Sequence, residues 1–118
     1  MPAHYIIQSR SDLEKATLAM EQLKILIVDF ETSEIEPYVK GAKLLCASAG
    51  NSQTVYTMPL GHEESPFKGD HASEYSFLSS IHRHPRIIAH NAKFELRWLA
   101  RSGFTPRAVY FDPMIAHH

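Results

Sequence analysis

The sequence has a single cysteine, no apolar run near the roughly 20 residues a membrane helix needs, and almost no net charge, −1 over 118 residues. A lone Cys46 cannot close an internal disulfide, and the start, Met1-Pro-Ala-His-Tyr5, lacks the basic-then-apolar order of a secretory signal. The expectation is a cytoplasmic protein with no membrane partner. Near-neutral charge argues against indiscriminate attachment to nucleic acid through bulk electrostatics. Internal repeats and low-complexity segments are missing too, and 118 residues leave room for one domain with a modest core.

What is there concentrates in Lys24-Ile-Leu-Ile-Val-Asp-Phe-Glu-Thr32, an apolar run that ends in two carboxylates. Ile25 to Asp29 is too short for a helix and rich in β-branched types, which predicts a strand buried on both faces and central in a sheet. Side chains alternate along a strand, so Asp29 and Glu31 share a face one pleat apart and repel unless a cation lies between them. Sites in open α/β sheets cluster beyond the carboxyl ends of strands, and the pair falls at such an end. An Asp-x-Glu arises by chance about 0.4 times in a chain of this length, so its meaning comes from that position. The reading is a divalent-metal site.

Around this strand the chain divides readily. Tyr5–Gln8 is a strand candidate, and Ser11-Asp-Leu-Glu14 has the form of a capping box opening a helix to about Gln22, with Leu13, Ala16, Leu18, Met20 and Leu23 on its apolar side. Ser33–Gly41 is a loop broken by Pro37 and Gly41, in which Ile35 either tucks under the loop or faces a ligand. Lys43–Ala49 and Gln53–Pro59 form a hairpin around Gly50-Asn51-Ser52. Leu60–Gly69 is a solvated loop, since His62, Glu63 and Glu64 with Asp70 and His71 fit no zinc spacing. A helix from Asp70 or Ser73 to about His84 carries Tyr75, Leu78 and Ile81 on one side and its histidines at the surface. Arg86–His90 is a parallel strand ending beside Asp29. Asn91 caps a helix from Ala92 to Arg101 or Ser102, closed by Gly103, that puts Asn91 and Glu95 on one face. Lys93, Arg97 and Arg101 lie on another stripe, a solvated face with nucleic-acid contact as the alternative. Six basic residues against one acid from Arg83 to Arg107 make this third of the chain locally positive. Ala108–Phe111 reads as a last strand, and Asp112-Pro113 as the capped start of a helix with only Met114–His118 to follow, which predicts an incomplete domain.

Three segments therefore converge, and here the sequence resembles the 3′–5′ proofreading exonuclease domain of family A DNA polymerases, above all its bacteriophage versions, within the DEDD exonuclease superfamily. Val28-Asp-Phe-Glu-Thr32 is similar to the first exonuclease motif, Asn91-Ala-Lys-Phe-Glu95 to the second, and Phe111-Asp-Pro-Met-Ile115 to the segment that follows. The resemblance implies an α/β, RNase H-like mixed sheet flanked by helices. It implies Asp29, Glu31 and Glu95 as catalytic carboxylates binding two Mg²⁺ or Mn²⁺ ions, with Asp29 shared between them. It also implies Thr32, Ile35, Asn91 and Phe94 as contacts to the terminal nucleotides of a single-stranded DNA 3′ end, Ile35 wedging against a base. A polymerase domain or subunit is the implied partner, and a bacterial or phage-infected cytoplasm the implied setting.

This sequence departs from the family pattern twice. The second motif ordinarily ends in Asp where this chain has Glu95, one methylene longer. The third motif, a Tyr and an Asp three or four residues apart, falls beyond His118. The expectation is one exonuclease-like domain, residues 1–118, truncated at its C-terminus and holding three of four carboxylates. The competing expectations are a catalytically silent module that binds nucleic acid or supports a polymerase, and a ribonuclease D-like RNA trimmer.

Overall fold

The computed structural model describes residues 2–89, 91–105 and the backbone of 110–111. Strand β1 (Ala3–Ile6) is followed by helix α1 (Arg10–Glu21), β2 (Leu26–Thr32), the hairpin of β3 (Leu44–Gly50) and β4 (Thr54–Pro59), then α2 (His71–Arg83), β5 (Ile87–Ala89), α3 (Ala92–Arg101) and β6 (Tyr110–Phe111). The strands form one mixed sheet in the order β1-β4-β3-β2-β5-β6. β2 pairs antiparallel with β3 and parallel with β5, so the predicted interior strand lies inside the sheet, and the chain leaves β5 with Ala89 opposite Val28, one residue before Asp29.

The prediction that β2 is buried on both faces is wrong. Leu26, Val28 and Phe30 are buried while Ile27, Asp29 and Glu31 are exposed. Among the described residues, helical cover of β2 lies over one face: Leu13, Ala16 and Met20 of α1 and Phe77, Leu78 and Ile81 of α2 join Leu26, Val28, Ala47 and Ala49 in a single core. The other face of β2 stays open, leaving Ile27 46% exposed beside the carboxylates. A continuous apolar run reads as doubly buried because periodicity alone cannot tell which faces are covered.

Other elements shift by one or two residues for local reasons. The first strand begins at Ala3 rather than Tyr5 and pairs parallel with β4 at the sheet edge. The cap of α1 is Ser9, not Ser11: its hydroxyl accepts from the Asp12 N–H at 3.1 Å, and Asp12 accepts in turn from the Gln8 N–H at 3.0 Å. Asp70 caps α2, whose buried side carries Ser73, Phe77, Leu78, Ser80 and Ile81. Tyr75 faces out instead, 55% exposed and stacked on Phe104 with ring centroids 4.9 Å apart. His84 is buried, because its Nε2 meets the Leu23 carbonyl at 2.7 Å and its Nδ1 accepts from the Arg86 N–H at 3.1 Å, pinning the entry to β5. The predicted strand of residues 108–111 appears as Tyr110–Phe111, parallel to β5, and the predicted helix start at Asp112 lies outside the described residues.

The hairpin tip leaves no space for a side chain at Gly50. A Cβ there would stand 2.0 Å from the Thr54 carbonyl oxygen, a backbone atom held by the Asn51 N–H and by the ladder. Gly50→Ala should therefore lower stability by about 1–3 kcal/mol, read as a fall in the denaturant midpoint without a change in slope.

Candidate active site

Strand alternation places Asp29 and Glu31 side by side on the open face, and the β2–β3 register sets Ser48 opposite Asp29 and Cys46 opposite Glu31. The two neighbours behave differently. Ser48 turns to β4 and shares a hydrogen bond with Thr57 at 2.7 Å, while the Cys46 thiol donates to Glu31 Oε2 at 3.3 Å. Burial, the hydrogen bond to Glu31 and the charges of Glu31 and Asp29 together push the thiol up to about 11. Cys46 thus stays protonated at neutral pH and serves as a hydrogen-bond donor to a carboxylate rather than as a thiolate. Among the described residues no Lys, Arg or His makes an ion pair with either acid. Two exposed carboxylates one pleat apart, without a protein cation between them, form an oxygen donor set that suits a hard divalent ion such as Mg²⁺ or Mn²⁺.

A register irregularity between Glu31 and Thr32 ends the regular pairing of β2. The following turn is built locally: the Thr32 hydroxyl donates to the Glu34 carbonyl at 2.7 Å, the Ser33 N–H to the Lys43 carbonyl at 2.9 Å, and the Lys43 N–H to the Ser33 hydroxyl at 2.8 Å. Pro37 is fully buried and anchors the turn. Ile35 stands 79% exposed, so it does not tuck under its own loop. Next to it, Glu36 forms a two-pronged ion pair with Arg97 of α3. The mutual hydrogen bonds hold the Glu36 carboxyl below its usual range and raise Arg97.

Asn91 caps α3 as predicted, its side chain accepting from the Phe94 N–H at 3.4 Å, and Gly103 follows the helix with φ 99°. Asn91 is exposed, Phe94 half-buried beside Trp98, and Glu95 only 2% exposed on the buried side of the helix with Ala92, Trp98 and Leu99. Of the basic stripe, Lys93 is solvated, Arg97 binds Glu36, and the Arg101 guanidinium lies over the Trp98 ring, 5.1 Å from its centroid. The structure thus brings Asp29 and Glu31 together and sets Thr32 and Ile35 just beyond them. Among the described residues no group of three or more His, Cys, Asp or Glu is placed to hold a metal, so Glu95 does not join the pair in such a group. His90 lies outside the described residues. Two features were not anticipated. The contact of Cys46 with Glu31 could have been read from the hairpin register, whereas the Glu36–Arg97 pair joins residues 61 apart and has no local signal.

Residues 5–118 match the model of a protein family described as 3′–5′ exonuclease, of the DNA polymerase A type. DNA polymerase I of Borreliella burgdorferi is 28% identical over 111 residues, which cover 93% of this chain and 12% of that protein. The chain thus spans about an eighth of that relative's length. Among solved structures, the catalytic core of RRP6 from Trypanosoma brucei superposes with a TM-score of 0.74 at 15% identity, over 98% of this chain and 30% of that one. RNase D of Escherichia coli, an exoribonuclease involved in structured RNA processing, superposes with a TM-score of 0.71 at 13% identity, over 97% of this chain and 28% of that one. At such identities the likeness is one of fold, and it places the chain in the RNase D and DEDD exonuclease architecture expected from the sequence.

Proposed function

Since the chain belongs to the DNA polymerase A type 3′–5′ exonuclease family, we propose that it serves metal-dependent hydrolysis of the terminal phosphodiester at a single-stranded DNA 3′ end, as the proofreading-type domain of a polymerase. The observation that carries the reading is the pair Asp29 and Glu31, exposed on the open face of an interior strand with no ion pair to a described protein cation. Their oxygens would hold Mg²⁺ or Mn²⁺. Among the described residues Glu95 does not group with the pair, and its place as a third carboxylate rests on the likeness of Asn91–Glu95 to the second exonuclease motif. A pair of such ions, when bound, supplies an activated water and stabilises the leaving 3′-oxygen.

The chain's own residues do the rest of the work. Cys46 donates to Glu31 Oε2 and so holds one oxygen of the carboxylate, leaving the other for a metal ion. Ile35 offers an exposed apolar surface to the π-face of a base, and Phe94 and Asn91, at the start of α3, would border the same nucleotide with Thr32. The likeness to DNA polymerase I supports a polymerase domain or subunit as partner. The folds of RNase D and RRP6 support RNA trimming as the second reading. Matched DNA and RNA oligonucleotides separate the two: digestion of DNA from its 3′ end favours the first, and digestion confined to RNA replaces it with the second.

These 118 residues supply Asp29, Glu31 and Glu95 but no Tyr-x-x-x-Asp segment. We therefore expect little nuclease activity from them alone, compared with the same chain extended through such a segment, because both water alignment and one ligand would be missing. Robust, Asp29-dependent digestion by the 118 residues alone would defeat this expectation, and would also exclude the silent-module alternative.

A further inference from the structure

Two chain segments leave the sheet near the carboxylate pair: the turn after β2 that carries Ile35, and the start of α3 that carries Asn91 and Phe94, which follows β5 where Ala89 pairs with Val28. No regular hydrogen-bond ladder joins them. One contact between them is the ion pair of Glu36 with Arg97, a fork of two guanidinium donors on two carboxylate oxygens. Both partners are partly solvated, with side chains 50% and 41% exposed. An exposed pair of this kind adds little to global stability. Its geometry is nonetheless specific, because a two-pronged guanidinium–carboxylate contact fixes orientation as well as distance. Glu36 directly follows Ile35, so fixing Glu36 also fixes where the exposed Ile35 side chain stands relative to α3. The other anchors of the turn are the Ser33–Lys43 and Thr32–Glu34 hydrogen bonds, which lie within the turn itself, and Pro37, buried directly after Glu36.

We propose that the Glu36–Arg97 pair is a latch that holds the Ile35 turn against α3, making both residues positioning residues for the 3′-terminal nucleotide. The inference rests on the proposed role of Ile35 as a substrate contact. It gives Arg97 a task different from the phosphate contact that a basic residue near a nucleic-acid site would otherwise suggest. The two roles predict opposite signs for one substitution. Glu36→Gln removes a negative charge near the substrate. If Arg97 were a phosphate contact, freeing it would tighten binding. If the pair is a latch, binding weakens although the surface has become more positive.

The test uses the 118-residue chain and two readouts. Anisotropy of a labelled single-stranded DNA oligonucleotide, with chelator present to prevent hydrolysis, reports substrate binding. The rate of tryptic cleavage after Lys40, followed by mass, reports the hold on the turn without any substrate, and melting curves confirm that each variant is folded. The latch predicts that Glu36→Gln and Arg97→Met each raise Kd by roughly three- to fivefold, and that Glu36→Arg combined with Arg97→Glu restores it to within about twofold. It also predicts cleavage after Lys40 about threefold faster or more in Glu36→Gln. Tighter binding by Glu36→Gln, failure of the exchanged pair to restore binding, or an unchanged cleavage rate overturns the latch. If no variant binds DNA, including the parent, while Glu36→Gln is cleaved faster, the latch stands and the nucleic-acid reading falls.

Discussion

Replacing Asp29 by Asn and Glu31 by Gln together should lower single-turnover digestion of a 3′-labelled oligonucleotide about a thousandfold or more, in a chain extended through the fourth carboxylate. Folding should be untouched. Both side chains are exposed on the open face, and substitutions at such positions usually change stability by no more than about 0.5 kcal/mol. In metal-free buffer the double variant should even melt no lower than the parent, since two like charges one pleat apart repel and the exchange removes that repulsion. Activity lost while the melting curve is held or raised is the mark of a pair kept for chemistry. A calorimetric titration with Mn²⁺ gives the same answer without a substrate: heat of binding in the parent, none in the double variant.

The second large effect belongs to Glu95. It lies in the first turn of α3, where the helix N-terminus favours negative charge, and it is buried among Ala92, Trp98 and Leu99. A family member with Asp at this place reaches one methylene less, so a Glu serves only if its longer side chain folds back. Glu95→Gln keeps shape and loses charge, and should slow single-turnover digestion at least tenfold, about 1.4 kcal/mol of transition-state stabilisation. Glu95→Asp restores the carboxylate of the family pattern and should retain the rate. If Glu95→Gln digests DNA as fast as the parent, Glu95 is a structural residue of α3 and the resemblance of Asn91–Glu95 to the second motif carries no function.

How much of this was legible in the sequence depended on the range of the interaction. The β2 strand, its neighbour β5, the hairpin and the Asn91 cap were all carried by local patterns, namely an apolar run, a crossover helix, turn residues and a side-chain acceptor before a helix. The Asp29 and Glu31 pair was equally readable, because alternation along a strand is a rule of the backbone. What local pattern could not give was cover. Whether the second face of β2 is packed depends on where the helices dock, so Ile27 read as buried and is exposed. The same holds for His84, a surface residue by composition but held inside by the Leu23 carbonyl, and for Arg97, one of a solvated stripe until the fold brings Glu36 to it. Ser9 lost to Ser11 in the reading because both precede an acid three residues on, and only the Asp12 contacts decide between them.

The most direct test of the central claim is digestion of a 3′-labelled single-stranded DNA oligonucleotide by the extended chain, with parent and Asp29→Ala side by side, in Mg²⁺ and in chelator. The expected result is release of mononucleotides from the 3′ end by the parent in Mg²⁺ alone, and none in the other three arms. Equal digestion by the parent and Asp29→Ala, or digestion that persists in chelator, would contradict it.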